Sequence, residues 1–177
     1  MDKNRILIIP VNPEHFDTYI RVGSKSYNEH YLHLWQNQDP TPYMEVSFRK
    51  EVVRKEWEDS NCLLFLIYVD KSPAGILTLV LNKTPLATTV KDGLFLERIY
   101  LLREYSGQGL GTYALKYIEA LGKEYGREQL YLATMQKGQA LNFYKQNGFY
   151  ILGEKQLTFP GMVESERPMY ILGKKLK

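Results

Sequence analysis

The fold of this chain is decided by one stretch, Leu96-Glu97-Arg98-Ile99-Tyr100-Leu101-Leu102-Arg103-Glu104-Tyr105-Ser106-Gly107-Gln108-Gly109-Leu110-Gly111. Its first half ends a strand predicted over residues 94–102, and its last glycines open an amphipathic helix predicted over residues 109–125. The alternate glycines between these elements allow a sharp turn and leave backbone amides open to a ligand. Because the N–H groups of a first helical turn point outward with the helix dipole behind them, the stretch predicts an anion site suited to a phosphate or pyrophosphate.

Two common phosphate motifs do not match this glycine-rich turn. A Walker loop needs Lys and then Ser or Thr after its last glycine, whereas Thr112 and Tyr113 follow Gly111 here. A dinucleotide-binding turn has glycine at its first, third and sixth positions in an early strand–helix unit, whereas these glycines occupy the first, third and fifth positions, past the middle of the chain. The sequence therefore disfavours both a nucleoside triphosphatase and a dinucleotide enzyme.

The rest of the chain predicts short strands and helices in the order β-α-α-β-β-β-α-β-α-β-β. The strands are predicted at residues 6–11, 62–69, 74–81, 94–102, 130–134, 150–159 and 169–176, and the helices at 14–26, 46–57, 109–125 and 139–146. Residues 28–42 have no clean periodicity and predict an irregular segment. This order is typical of an α/β domain with a mixed sheet, and no linker divides the single domain predicted over residues 1–177.

Composition excludes some classes of protein but does not indicate a function. The chain has 177 residues, a formal net charge of +3 and a mean hydropathy of −0.36, and no apolar run approaches the ~20 residues of a membrane-spanning helix. A charge of +3 is too small to argue for nucleic acid as a partner. The single cysteine, Cys62, cannot form an intramolecular disulfide, and the short N-terminal apolar run does not resemble a leader, so we expect a cytoplasmic protein. The 14 tyrosines are about twice the usual number.

The glycine turn resembles the acyl-CoA pyrophosphate loop of the GNAT N-acetyltransferase superfamily. A second block, Ala140-Leu141-Asn142-Phe143-Tyr144-Lys145-Gln146-Asn147-Gly148-Phe149, is similar to a helix of the same family at the expected separation. The resemblance implies a mixed, mostly antiparallel central sheet, flanked by helices on both faces, whose fourth and fifth strands splay apart. It also implies an acetyltransferase without a metal, closest to bacterial polyamine acetyltransferases. The first loop position, normally Arg or Gln in the family, is Ser106, for which Arg103 or Gln108 would compensate.

The resemblance implies direct transfer of the acetyl group of acetyl-CoA to a primary amine. In this reaction Tyr144 protonates the departing thiolate, and Glu97 draws a proton from the amine, directly or through water. The Leu101 or Leu102 N–H group would polarise the thioester carbonyl. The residues expected to bind acetyl-CoA are Ile99, Tyr100, Leu101, Leu102, Ser106, Gly107, Gln108, Gly109, Leu110, Gly111, Thr112, Asn142 and Lys145.

The acceptor is the least determined part of the reaction. We expect a small cationic, polyamine-like amine, attracted by Glu29, Asp39 and Glu45, with specificity determined by residues 27–43 and 157–167. A protein N-terminus or lysine, and a non-catalytic acyl-CoA-binding regulatory module, remain as alternatives. His30 and His33 lack a second ligand cluster, so they favour a surface or substrate-lining role over a metal site. A homodimer through the final strands is a further expectation, and neither nucleic acid nor membrane is expected as a partner.

Overall fold

A computed structural model describes residues 5–83, 85–86 and 93–176. Seven strands form one sheet: β1 Ile6–Pro10, β2 Cys62–Val69, β3 Ser72–Val80, β4 Gly93–Leu101, β5 Gln129–Met135, β6 Tyr150–Gln156 and β7 Pro168–Lys175. Five α-helices accompany them: α1 Phe16–Tyr31, α2 Thr41–Ser47, α3 Lys50–Glu58, α4 Leu110–Glu124 and α5 Gln139–Gln146. In these described ranges no helix combines the length and apolar character that crossing a bilayer requires.

The sheet has the order β1-β2-β3-β4-β5-β7-β6, and every neighbouring pair is antiparallel except the parallel pair β4–β5. One face packs on α1 and α3 through a cluster that includes Tyr19, Val22 and Val53. The other face packs on α4 and α5 through a cluster that includes Ile118 and Tyr144. The predicted mixed, mostly antiparallel sheet with helices on both faces is therefore confirmed.

The parallel pair β4–β5 separates halfway along its length. The two strands are paired from Gly93 and Gln129 to Leu96 and Leu132, and then the pairing stops although both strands continue. Past this point the backbone edges of both strands face a gap. The predicted splay of the fourth and fifth strands is confirmed.

Strand β4 contains a β-bulge at Glu97. On β3, Leu79 pairs with Leu96 and Thr78 pairs with Arg98, so that Glu97 has no partner opposite it. Leu96 belongs to the cluster on the α4 side, whereas the Arg98 side chain reaches α3 on the opposite face. The bulge thus shifts the alternation of side chains between the two faces of the sheet by one residue, at the point where β4 and β5 separate.

The helical region before β2 differs most from the prediction. The predicted helix at residues 14–26 begins with a 3₁₀ turn and extends to Tyr31, and the predicted helix at 46–57 is two helices, α2 and α3. They are separated because the ring of Phe48 turns into the core beneath Gly23. Val46 and Trp57, two apolar residues of the helix predicted at 46–57, are 53% and 40% exposed. Strand β6 ends at Gln156 rather than at residue 159, and much of the polar connection predicted before β4 lies outside the described residues.

Candidate active site

The glycine turn has the geometry of an anion site. Gly107 and Gly109 adopt left-handed conformations, with φ of 71° and 84°, and a Cβ at either position would meet nothing within 4 Å. The first helical hydrogen bond of α4 runs from the Tyr113 N–H to the Gly109 oxygen over 3.0 Å. The N–H groups of Leu110, Gly111 and Thr112 have no acceptor within the described part of the chain. Three donors at a helix N-terminus thus point into open space, as an incoming phosphate requires.

Gly111 is needed for a reason that the sequence pattern did not indicate. A Cβ on Gly111 would lie 3.0 Å from Cζ of Phe143, a residue of α5. The missing side chain therefore lets α5 approach the start of α4.

The polar side chains of the turn have different roles. Nε2 of Gln108 donates to the Glu104 carbonyl oxygen over 2.6 Å, so this side chain closes the turn. The Arg103 N–H donates to the Glu29 carboxylate over 2.7 Å, while the Arg103 guanidinium has no partner among the residues that the structure describes. Ser106 is exposed. Of the two residues predicted to compensate for Ser106, Arg103 is the one with an uncommitted side chain.

The backbone of β4 presents alternate residues to the gap. The Leu102 N–H donates to the Ala74 oxygen over 2.9 Å, which makes these two residues a hydrogen-bonded pair. In an antiparallel ladder such pairs alternate, so Tyr100 also bonds to β3 whereas Ile99 and Leu101 direct their backbone groups toward the gap. The Leu102 N–H, one of two predicted donors to the thioester, is therefore unavailable, and so are the backbone groups of Tyr100.

Tyr144 lies in the core cluster on the α4 and α5 side of the sheet. It is 8% exposed, and the rings of Phe143 and Phe149 contact it edge-on at 5.2 and 5.6 Å. Burial raises the pKa of Tyr144 well above its usual range, and the phenol of Tyr31 adds to the effect. The proton is held more tightly than in a free phenol, so Tyr144 is fully protonated at neutral pH.

Glu97 is not an isolated carboxylate. It forms an ion pair with Lys83, whose ammonium also lies 4.4 Å from the ring centroid of Phe95. The Glu97 side chain is 31% exposed. Its charge is therefore matched by a neighbouring cation at the start of the gap. On α5, Asn142 and Lys145 are exposed, and neither side chain forms a hydrogen bond within the described part of the chain.

Four tyrosines form a cluster beyond the end of β4. The rings of Tyr27 and Tyr43 are stacked at 4.4 Å, and Tyr100 meets Tyr27 edge-on at 5.6 Å and Tyr31 at 5.8 Å. The hydroxyl groups of Tyr43 and Tyr100 are 2.6 Å apart. Burial raises the pKa values of Tyr27, Tyr31 and Tyr100, so these phenols are neutral. The cluster accounts for part of the excess of tyrosine, and no local pattern predicted it because its members lie far apart in the chain.

Two loop segments join above this cluster. The Gln36 N–H donates to the Gly161 oxygen over 2.8 Å, and the Val163 N–H donates to the Leu34 oxygen over 2.9 Å. Between these bonds, buried Trp35 forms an antiparallel bridge with Met162. We call residues 34–36 and 161–163 the roof. The two regions predicted to determine specificity are therefore joined to each other by backbone hydrogen bonds.

The acidic residues expected to attract a cation already have partners. Glu29 accepts the Arg103 N–H, Asp39 accepts hydrogen bonds from the backbone and hydroxyl of Thr41, and Glu45 pairs with Arg49. Nε2 of His30 lies 3.1 Å from the Leu101 oxygen, whereas His33 is exposed. Within the described residues, no group of three or more His, Cys, Asp and Glu side chains is arranged to hold a metal ion.

Comparisons with known proteins point to one family. The model of the Acetyltransferase (GNAT) family matches residues 25–149. The chain is 22% identical over 161 residues to an uncharacterized N-acetyltransferase in the pepI 3′ region of Lactobacillus delbrueckii subsp. lactis, which covers 86% of this chain and 93% of that protein.

Solved structures of the same fold extend over almost the whole chain. The PaiA N-acetyltransferase from Thermoplasma acidophilum, solved in complex with coenzyme A, has a TM-score of 0.74 and 21% identity over 96% of this chain and 98% of its own. A ribosomal-protein alanine N-acetyltransferase from Escherichia coli has a TM-score of 0.70 and 14% identity over 97% of this chain and 94% of its own.

Proposed function

Because the chain belongs to the GNAT family of acetyltransferases, we propose that it transfers the acetyl group of acetyl-CoA to the primary amine of a small molecule. Membership of this family identifies the chain as an N-acetyltransferase. The acetyl donor, the size of the acceptor and the roles of individual residues are the parts that we add.

The glycine turn and the gap between β4 and β5 support acetyl-CoA as the donor. The free N–H groups of Leu110, Gly111 and Thr112 fit a pyrophosphate, and Arg103 offers an uncommitted cation beside them. The backbone groups of Ile99 would bind an amide of the pantetheine arm, and Asn142 and Lys145 would contact the same molecule from α5. Bound in this way, acetyl-CoA supplies an activated acetyl thioester at the end of β4.

The roof is the observation that carries the choice of a small acceptor. A protein substrate needs an open groove into which an extended segment can be laid, whereas here the Leu34–Val163 and Gln36–Gly161 hydrogen bonds close the space between the two loops. A small amine reaches the gap without separating them. The partly exposed rings of Tyr31 and Tyr100 present aromatic surface that attracts a cation, which supports the polyamine-like acceptor even though the nearby carboxylates are paired.

The side chains at the gap support direct transfer. The Leu101 N–H would donate to the thioester carbonyl and stabilise the charge that develops on its oxygen. Tyr144, protonated and buried, would deliver its proton to the departing sulfur. Glu97 would need water to reach the amine because its carboxylate is paired with Lys83.

A coupled assay of thiol release over a panel of amines tests the proposal. The panel contains polyamines, amino acids and aminoglycosides, together with a peptide that carries a free N-terminus and a lysine. We expect release of CoA with at least one small amine and none above background with the peptide. Turnover of the peptide alone would overturn the small-molecule acceptor, and binding of acetyl-CoA without turnover of any amine would favour the acyl-CoA-binding module.

A further inference from the structure

His30 lies where the last turn of α1 meets the end of β4, and we propose that it is the base that accepts the proton of the attacking amine. The inference rests on the proposed function and identifies a catalytic residue for it. The sequence offered His30 only as a lining residue or a weak metal ligand.

The placement of the imidazole follows from two hydrogen bonds. Nε2 of His30 lies 3.1 Å from the Leu101 oxygen, and the neighbouring Glu29 carboxylate accepts the Arg103 N–H over 2.7 Å. Together they fix the end of α1 against β4. Since the N–H and C=O groups of one residue face the same edge of a strand, the imidazole lies beside the Leu101 N–H assigned to the thioester carbonyl. The base is thus next to the carbon that the amine attacks.

The hydrogen bond to Leu101 also determines which nitrogen is basic. A carbonyl oxygen only accepts, so Nε2 of His30 carries the hydrogen, and in the neutral ring Nδ1 holds the free lone pair. Nδ1 has no donor among the described residues. After it takes a proton, the imidazolium keeps its bond to Leu101, and its position in the last turn of α1 favours the positive charge.

The groups around His30 are compatible with this change of charge. On α1, the Glu29 carboxylate favours the imidazolium although it also lies 3.6 Å from the Lys25 ammonium, and the ring of Tyr31 meets that of His30 edge-on at 6.2 Å. Arg103 follows β4 and opposes the positive charge. The phenols that face this region, Tyr100 on β4 and Tyr144 on α5, are neutral because burial raises their pKa values.

Glu97 is less suited to the same task. It lies four residues before Leu101, on the order of 12 Å along an extended strand, and its charge is paired with that of Lys83. A direct proton transfer to Glu97 would require the amine to displace this lysine. His30 needs no such displacement.

The proposed step balances with the groups present. The nitrogen lone pair forms the C–N bond as the C–S bond breaks, and the amine proton passes to Nδ1 of His30. The electron pair of the broken bond leaves on sulfur, which takes a proton from Tyr144. The imidazolium then returns its proton, through solvent, to the tyrosinate, so the products are the acetamide and free CoA thiol.

The test compares His30→Gln with His33→Gln in the complete protein. Glutamine retains an N–H donor for the Leu101 oxygen but cannot act as a base, and His33 is an exposed histidine three residues further on. With the best amine of the panel, we expect His30→Gln to lower kcat about 100-fold and His33→Gln to leave it within twofold. We also expect the fall of kcat/KM at acid pH to persist in His33→Gln and to vanish in His30→Gln.

Binding and rescue measurements complete the test. The Kd of acetyl-CoA and the melting temperature of His30→Gln should match those of the parent, and added imidazole should restore turnover to His30→Ala. Full activity in His30→Gln, or loss of the acid limb in Glu97→Gln instead, would overturn the role of His30 while leaving the proposed function intact. Absence of turnover by the parent protein on every amine would instead refute the proposed function.

Discussion

Gly109 adopts a left-handed conformation at the start of α4, and Gly126 adopts one just beyond its end. A Cβ at either position meets nothing within 4 Å, so alanine strains the backbone at both sites without a collision. Only Gly109 adjoins the free N–H groups of the proposed phosphate site. The two glycines therefore form a matched pair that separates the effect on folding from the effect on binding.

We predict that Gly109→Ala and Gly126→Ala each lower the free energy of unfolding by about 1–2 kcal/mol. Gly109→Ala should in addition weaken acetyl-CoA binding about tenfold in calorimetry, because the strained turn no longer aims its amides at the phosphates. Gly126→Ala should bind as the parent does. Equal affinities in the two variants would show that the turn does not hold the phosphates.

Tyr144→Phe removes one hydroxyl group and keeps the buried ring. We predict a loss of kcat of about 10²-fold with the Kd of acetyl-CoA within twofold, since the proton is needed only as sulfur departs. Tyr150→Phe, at a residue 42% exposed on β6, is the control and should behave as the parent. Losses of similar size in kcat and in affinity would mean that Tyr144 positions the donor and does not protonate it.

At this scale the sequence predicted the backbone geometry well where a motif is local. The glycine turn is six neighbouring residues with a fixed spacing, and its left-handed glycines lie where the pattern requires them. The role of Gly111 was not predictable, because it depends on Phe143 from another helix. The partner of Glu97 in its ion pair, Lys83, was not predictable for the same reason, since the two residues meet only after β3 and β4 are aligned.

At the scale of elements, the bulged segment of β4 is anchored by a buried ionic group. Arg98, 7% exposed, forms two hydrogen bonds of 2.8 and 2.7 Å with the carboxylate of Glu56 on α3. Beside it the Tyr19 hydroxyl lies 2.5 Å from that of Thr78, and burial raises the pKa of Tyr19 to about 12 although the Arg98 cation opposes the rise. The residue that follows the bulge is thus fixed to α3 on the face opposite α4.

We predict that Arg98→Met lowers the free energy of unfolding by about 3 kcal/mol, because it leaves the Glu56 carboxylate beside the core without its cation. The double variant Arg98→Met/Glu56→Met should recover most of this loss in chemical denaturation, since an apolar pair replaces the ionic one. If the double variant is no more stable than the single one, the unpaired carboxylate is not the cause.

The strands were predicted within two residues except at the end of β6, but the helices before β2 were not. Strand signals such as Cys62–Val69 are continuous apolar runs bounded by turn residues, so the local pattern suffices. The break between α2 and α3 depends on Phe48, whose ring fills the space beside Gly23 of α1. That space exists only in the folded protein. The apolar periodicity of the sequence therefore predicted a single helix where the structure has α2 and α3.

At the scale of the whole molecule, β6 ends the sheet with apolar side chains turned outward. Tyr150, Ile151 and Leu152 are 42%, 41% and 36% exposed, and the strand pairs only with β7 among the described elements. An exposed apolar edge strand is a surface on which a second sheet pairs readily. The homodimer expected from the sequence would use this edge.

We predict a dimer in sedimentation at micromolar concentration and a monomer for Ile151→Glu. Val46→Glu, which places the same charge at an apolar residue on α2 that is 53% exposed, should remain dimeric. A parent protein that sediments as a monomer would refute the expectation.

The single domain predicted over residues 1–177 likewise remains a prediction, and the continuous sheet leads us to expect one cooperative unfolding transition.

The bulge at Glu97 makes the length of β4 matter more than the identity of that residue. Leu94 and Leu96 before it and Ile99 and Leu101 after it pack on the same face only because one extra residue lies between the two pairs. A replacement at this position keeps the count, whereas a deletion exchanges the two faces of everything that follows. A substitution at position 97 can therefore change the side chain there while the sheet keeps its register, whereas an insertion or a deletion at this position cannot.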